Sequence, residues 1–276
     1  MTDADLNIPD FVIIGAMKCG TSTLAAQLAA QDGVFMTTPK EPNFFSDDPI
    51  FAKGVAWYSE LYNAAAPGDL KGEASTHYAK LPTWPMVAER LHAVAPEARL
   101  IYMMREPVDR IVSQFIHEWT MGEVSGEIEQ ALVERPHMID YSRYDMQIAP
   151  WIERFGAENL LLLRMEDLKT NPQGLLERTG AFLGHAHAFV WRDDLGDQNV
   201  SAERLRRFPL YDLVVDHPLA AWLRRSFVPQ SLRDKVKSRL RMDNRPKLSA
   251  EARARLETEL APAYELWRGA AIDPRS

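Results

Sequence analysis

The stretch Phe11-Val-Ile-Ile-Gly15-Ala-Met-Lys18-Cys19-Gly20-Thr21-Ser22-Thr23-Leu24 decides the fold. Its first four residues are apolar, three of them in a row aliphatic and β-branched, which reads as a buried strand. Gly15 breaks the run, and a short loop leads into the helix-forming series from Leu24 to Gln31. A strand, a glycine-containing turn and a helix start aim backbone N–H groups and the positive end of a helix dipole at one point. That favours a bound anion. Lys18 adds a mobile charge, Cys19 and Gly20 fit a tight turn, and Thr21, Ser22 and Thr23 add hydroxyl donors. These are the residue types of a phosphate or sulfate site.

Working outward, the same alternation recurs. Runs at Asp69–Ser75, Arg99–Arg105 and Asn159–Arg164 read as strands, and helices are expected near 23–31, 84–94, 107–119, 151–155 and 172–184. Pro107 suits a first helical turn, and Ser249 is placed to cap a last helix running to about Trp267. Short apolar strands separated by helices predict an α/β fold in three layers, a P-loop-like central parallel sheet flanked by helices. Ligands of such sheets lie at the carboxyl ends of the strands. Lys18, Ser75 and Arg105 each follow such an end, so three segments are expected to meet in one crevice. The chain reads as one domain over residues 1–276, with a core of about 10–185, a C-terminal helix of about 249–268 and a basic cap or insert over 190–247.

The 276 residues are 46% hydrophobic and 26% charged, the balance of a globular enzyme. No apolar run approaches the roughly 18 residues a membrane helix needs. The opening Met-Thr-Asp-Ala-Asp is acidic rather than a secretory leader, so a cytoplasmic protein is expected. Cys19 is the single cysteine, which excludes an internal disulfide. A net charge of −7 argues against nucleic acid as a partner. The charge is uneven, because Leu223–Lys247 carries nine Lys or Arg against two Asp, with Leu232, Val236 and Leu240 at helical spacing. This pattern fits a helix with a narrow buried stripe, or a positive flap over an anionic ligand.

Spacing distinguishes one kind of phosphate site from another. A nucleoside-triphosphate loop reads G-x-x-x-x-G-K-[ST]. Gly15 and Gly20 have that separation, but Thr21 follows Gly20 and the lysine stands two residues before it. Lys18-x-Gly20-Thr-Ser-Thr23 after a strand resembles the 5′-phosphosulfate loop of sulfotransferases that use 3′-phosphoadenosine-5′-phosphosulfate (PAPS). Arg105-x-Pro107-x-x-Arg110-x-x-Ser113-x-x-x-His117 is similar to the 3′-phosphate motif of that family. Arg105 brings a planar, permanently charged fork suited to phosphate, and Ser113 a hydroxyl. Lys40-Glu41-Pro42-Asn43-Phe44-Phe45 and Gly72-Glu73-Ala74-Ser75-Thr76-His77-Tyr78 resemble the K-E-x-H-F-F and G-E-K-[ST]-x-x-Y segments of the carbohydrate-type branch, which includes enzymes acting on heparan sulfate. The resemblance covers most of residues 10–185 and, loosely, 245–268.

The resemblance implies a PAPS-dependent sulfotransferase that needs no metal. Lys18, Cys19, Gly20, Thr21, Ser22, Thr23, Arg105 and Ser113 would bind PAPS, with Lys18 also acting on the leaving group. Glu41 would be the general base of an in-line displacement, and Lys40 and His77 would face the acceptor. That acceptor would be a hydroxyl or amine of a sugar, lipid or small metabolite. Two positions depart from the pattern. Asn43 stands where the family often has His, and Ala74 where it has a lysine. They leave room for a catalytically idle relative that binds PAPS or its bisphosphate product. A small P-loop kinase is disfavoured by the lysine position and by the lack of an apolar strand ending in a magnesium-binding Asp. Arg204, Arg207, Arg245 and Lys247 are candidates to complete the 3′-phosphate site.

Overall fold

The computed structural model of the chain describes residues 6–195 and 245–271. Five strands form one parallel sheet in the order β2-β3-β1-β4-β5, where β1 is Phe11–Gly15, β2 Val34–Met36, β3 Leu70–Ala74, β4 Arg99–Met104 and β5 Leu160–Arg164. Every residue of β1 is buried, as its unbroken apolar run predicts for a central strand with both faces covered. Phe11 pairs in register with Gly72 of β3 and with Arg99 of β4. Gly72 is what lets the two strands lie so close, because a Cβ there would sit 2.1 Å from the Phe11 ring.

Helix α1 (Thr21–Ala29) leads from β1 toward β2. Two short helices, α2 (Asp48–Phe51) and α3 (Gly54–Glu60), precede β3. They are followed by α4 (Val87–Val94), α5 (Pro107–Met121), α6 (Ile128–Glu134), α7 (His137–Asp140) and α8 (Tyr144–Phe155). After β5 come α9 (Asp167–Thr170) and α10 (Pro172–Leu183). The start of α5 and both ends of α10 fall where the sequence expects them. Pro107 lies in the first turn of α5, the Asn171 side chain caps α10, and Gly184 ends it in the left-handed region at φ 68°.

The sequence reading does not foresee α2, α3, α6, α7 and α9, starts α4 three residues early, and departs most in two other helices. The segment expected at 151–155 begins at Tyr144, because Asp145 and Glu153 face solvent while Tyr144, Gln147, Ile148 and Trp151 pack inward. The single last helix is two, α11 (Ala250–Glu259) and α12 (Ala261–Gly269), broken at Leu260. Pro262 has no N–H to continue the first helix and instead sits in the first turn of the second. Ser249 caps α11 as expected, accepting from Ala252 N at 3.1 Å. Among the described residues no helix is long and apolar enough to cross a membrane. Residues 196–244, which hold most of the basic cap, lie outside the described residues.

Candidate anion-binding and transfer site

The carboxyl ends of β1, β3 and β4 carry the residues that the sequence singles out. Lys18 has φ 69°, a left-handed conformation in which a non-glycine residue is strained. Gly20 follows at φ 84° and caps α1 without a side-chain hydrogen bond. A Cβ at Gly20 would also lie 2.6 Å from Leu168 Cδ1, so glycine is required twice over. Cys19 N closes the turn onto Ala16 O at 3.3 Å. Among the described residues the amides of Gly20, Thr21 and Ser22 find no backbone acceptor. A helix start with open amides and a strained lysine beside it is the local geometry of an anion cradle.

Burial and the neighbouring Arg105 guanidinium hold the Lys18 ammonium below the ordinary lysine range. Neither cation has a carboxylate within ion-pair distance among the described residues. The nearest acid in sequence, Glu106, is engaged elsewhere. Its carboxylate caps α5 by accepting from Asp109 N at 2.5 Å, and accepts from Arg253 at 2.8 Å and from the Tyr264 hydroxyl. Glu166 accepts from Glu106 N at 3.0 Å and from the Trp267 indole at 2.9 Å. Tyr144 fixes the Arg105 backbone, its hydroxyl donating to Arg105 O at 2.7 Å. Two like charges that repel each other, with no acid in ion-pair distance among the described residues, suit a bound anion. Ser113 is half-buried on α5.

Other members of the motifs are structural. Arg110 is fully buried and spent on Gln114 Oε1 at 2.8 Å, Met138 O at 2.5 Å and Ser142 Oγ. Cys19 is fully buried, and burial pushes its thiol up to about 11, so it carries no reactive thiolate. Tyr58 stacks on Phe44 at 4.5 Å inside the core. Arg245 pairs with Asp109 at 3.0 Å, and Arg204 and Arg207 lie outside the described residues.

Glu41 sits after β2 on a loop that is tied down residue by residue. Its two carboxylate oxygens accept from the Thr76 hydroxyl at 3.0 and 3.1 Å, and Oε1 accepts from Lys40 Nζ at 3.2 Å. Phe44 and Phe45 are fully buried beneath it. The loop hangs on a carboxylate that sequence reasoning passed over. Buried Glu73, at the end of β3, accepts from the hydroxyls of Tyr58 at 2.6 Å, Tyr78 at 2.9 Å and Ser75 at 3.1 Å. Two of these hydroxyls accept in turn from the Glu41 loop, Ser75 from Asn43 N at 3.2 Å and Tyr78 from Phe45 N at 3.4 Å. Glu73 therefore orients two hydroxyls, and they set the backbone that carries Glu41.

Burial outweighs these donors and raises the Glu73 carboxyl to about 7 from an ordinary value of 4.5. Between those values the folded chain keeps a proton that the unfolded chain releases, so this contribution is complete below pH 4.5 and is lost as pH rises through 7. Glu73→Gln is expected to lower stability by ~1–3 kcal/mol, because its amide N–H₂ meets hydroxyl donors. It should also flatten that pH dependence. Denaturant melts at pH 5 and pH 8 test both points, and an unchanged slope with pH would rule out Glu73 as its source.

His77 follows Thr76 and stacks on Trp84 with ring centroids 4.3 Å apart. Burial and nearby Lys80 push it down to about 4, so near neutral pH it offers a neutral ring rather than a charge. Lys80, which the sequence reading missed, is the buried cation of this side. A cavity of about 660 Å³ is lined by Leu160, Leu162, Arg178 and Pro262 among others, and by none of these residues.

Residues 8–210 match the family of sulfotransferase domains. The chain is similar to heparan sulfate glucosamine 3-O-sulfotransferase 3B1 of Mus musculus, 30% identical over 189 residues that make up 64% of this chain and 46% of that protein. It is also similar to the bifunctional heparan sulfate N-deacetylase/N-sulfotransferase 1 of Caenorhabditis elegans, 26% identical over 193 residues that make up 64% of this chain and 22% of that one. The chain thus spans less than half the length of these relatives. Among solved structures, a sulfotransferase from Alicyclobacillus acidocaldarius aligns over 95% of both chains, with a TM-score of 0.63 at 21% identity. A mouse sulfotransferase complexed with PAP aligns over 97% of this chain and 91% of its own, with a TM-score of 0.51 at 16% identity. At such identities the likeness concerns the fold. The family match starts before β1, takes in the Lys18 turn, the Glu41 loop and Arg105, and spans most of the chain, which therefore belongs to the sulfotransferase-domain family.

Proposed function

We propose that this chain transfers a sulfuryl group from PAPS to a hydroxyl or amine of a sugar, lipid or small metabolite. The observation that carries the reading is the pair Lys18 and Arg105, two cations on different strand ends that feel each other and, among the described residues, have no acid within ion-pair distance. A donor with an anionic group at each end of one nucleoside fits that arrangement. When bound, PAPS supplies an activated sulfuryl group. The chain's own residues do the rest. The open amides of Gly20, Thr21 and Ser22 hold the 5′ end, and Lys18 steadies the charge that grows on the departing oxygen. Arg105 and Ser113 hold the 3′-phosphate. Glu41, aimed by Thr76, takes the acceptor's proton. Lys40 and His77 stand beside Glu41 and face the acceptor.

The test is incubation with ³⁵S-labelled PAPS and a panel of hydroxyl and amine acceptors, without added metal, alongside thermal melts with nucleotides. Label transfer is expected, and adenosine 3′,5′-bisphosphate should raise the melting temperature more than AMP, which lacks the second phosphate. Stabilisation by ATP and magnesium, with none by the bisphosphate, would overturn the reading. Arg105→Ala is expected to weaken the bisphosphate by ~10–100-fold, the worth of a charge-assisted phosphate contact, and AMP by much less. Calorimetric titration of both nucleotides checks this. Equal losses for both would take the 3′-phosphate away from Arg105.

A further inference from the structure

We propose that Tyr144, with Glu166 beside it, is a positioning residue for the donor: it clamps the Arg105 backbone and sets it against the Lys18 turn, so that the two anionic ends of one nucleotide are recognised together. This rests on the transferase reading above and deepens it, because Tyr144 acts through Arg105 and not on the donor itself.

An arginine that is to meet a phosphate gains affinity from a direction fixed in advance, since ordering it at the moment of binding is costly. The neighbouring acid, Glu106, is engaged by Arg253 and Tyr264, so the direction of Arg105 comes from the backbone that carries it. Arg105 lies between the end of β4 and the start of α5 and belongs to neither element. Its peptide groups must therefore find partners elsewhere. Tyr144 serves both, its hydroxyl accepting from Arg105 N at 3.2 Å and donating to Arg105 O at 2.7 Å. The next N–H, that of Glu106, donates to Glu166 Oε1 at 3.0 Å, and the Trp267 indole holds Oε2 of the same carboxylate at 2.9 Å. Three consecutive backbone groups are thus gripped by two side chains.

Tyr144 is itself fixed. It is fully buried at the start of α8, and its ring meets that of Tyr102 edge-on with centroids 5.8 Å apart. Burial pushes its phenol well above the ordinary range, so it keeps the proton that it gives to Arg105 O. Two residues before it, the Ser142 hydroxyl donates to Pro107 O at 3.0 Å and accepts from Arg110 Nε. A closed frame results, running from Arg105 through the first turn of α5 to Ser142 and from Tyr144 back to Arg105. Buried Arg110 thereby has a task in the frame although it is sealed from any ligand.

The same phenol borders the other strand end. Its oxygen lies 4.0 Å from Cys19 Sγ, and Cys19 stands between Lys18 at φ 69° and Gly20 at φ 84°. One side chain thus touches the turn after β1 and the bend after β4. The two phosphates of one nucleotide have a set separation, and the two strand ends must match it.

The experiment titrates adenosine 3′,5′-bisphosphate and AMP by calorimetry into the whole chain, into Tyr144→Phe, into Arg105→Ala and into the double variant. Tyr144→Phe keeps the buried ring and removes only the hydroxyl. It is expected to weaken the bisphosphate about tenfold, the worth of one misaligned charge-assisted contact, and AMP by less than about twofold. In the Arg105→Ala background the same change should cost the bisphosphate nothing further, because the group being positioned is gone. A merely structural tyrosine would lower the melting temperature and weaken both nucleotides alike, in both backgrounds. Equal losses, an unchanged bisphosphate affinity, or a loss that persists without Arg105 would overturn the proposal. Should Tyr144→Phe fail to fold, Glu166→Gln, which sets an amide N–H₂ against one of two donors, is read in the same way. A selective loss of the bisphosphate supports the clamp, and a uniform or absent loss overturns it. The unaltered chain is measured first. If it binds the bisphosphate no better than AMP, the donor-site reading falls together with this role, whereas a preference that survives in Tyr144→Phe removes only the role of Tyr144.

Discussion

In the Glu41→Gln protein, bisphosphate binding is expected to stay at the unaltered level while sulfuryl transfer falls by ~10²–10⁴-fold, the range for a lost general base. The substitution keeps the length of the side chain and an oxygen to accept from Thr76, so the loop should keep its course. What is lost is the ability to take a proton. The measurement is single-turnover transfer to the acceptor found with labelled PAPS, followed against pH. The acid limb of the profile belongs to the base and should vanish in the variant. A profile with the same acid limb would remove Glu41 from that role and leave it as the anchor of Lys40 and Thr76.

Lys18→Ala is expected to cost ~10²–10³ in transfer rate, comparable to removing one preorganised donor from a developing oxyanion. The chain should still fold, since Lys18 holds no ion pair among the described residues. A paired variant separates function from architecture. Lys18→Gly should lose transfer equally yet gain ~0.5–1 kcal/mol of stability, because glycine occupies φ 69° without strain. Urea melts and transfer rates on the two variants check both halves. Retained turnover in either would show that the turn's amides suffice without the ammonium. A loss of stability in the glycine variant would mean that the Lys18 stem packs usefully where its backbone is strained.

The sheet and the strand ends that carry the proposed donor residues are legible in the sequence because their signals are local. Phe11–Gly15 and Leu100–Met104 are continuous apolar runs, and each is followed within three residues by its cation. The Glu41 loop has no periodicity of its own, and only the resemblance of Lys40–Phe45 to a known segment points to it. β2 goes unseen because three residues show no pattern. Lys80 reads as a surface lysine in a proline-containing loop, yet it is buried, and one of the rings beside it, Tyr141, lies some sixty positions on. Glu73 is equally opaque, since one of its donors, Tyr58, comes from a short helix that propensity does not announce. These residues take their character from partners distant in the chain, which no window of neighbouring residues contains.

The hold of Arg253 and Tyr264 on Glu106 has a further meaning. A carboxylate stands immediately beside the arginine proposed to hold the 3′-phosphate, and the last two helices, together with its own capping of α5, hold it in place. The tail thus works as a custodian of charge. In a chain ending before residue 249, Glu106 would keep only its hold on α5, and a nucleotide bound as proposed would have to compete with it for Arg105.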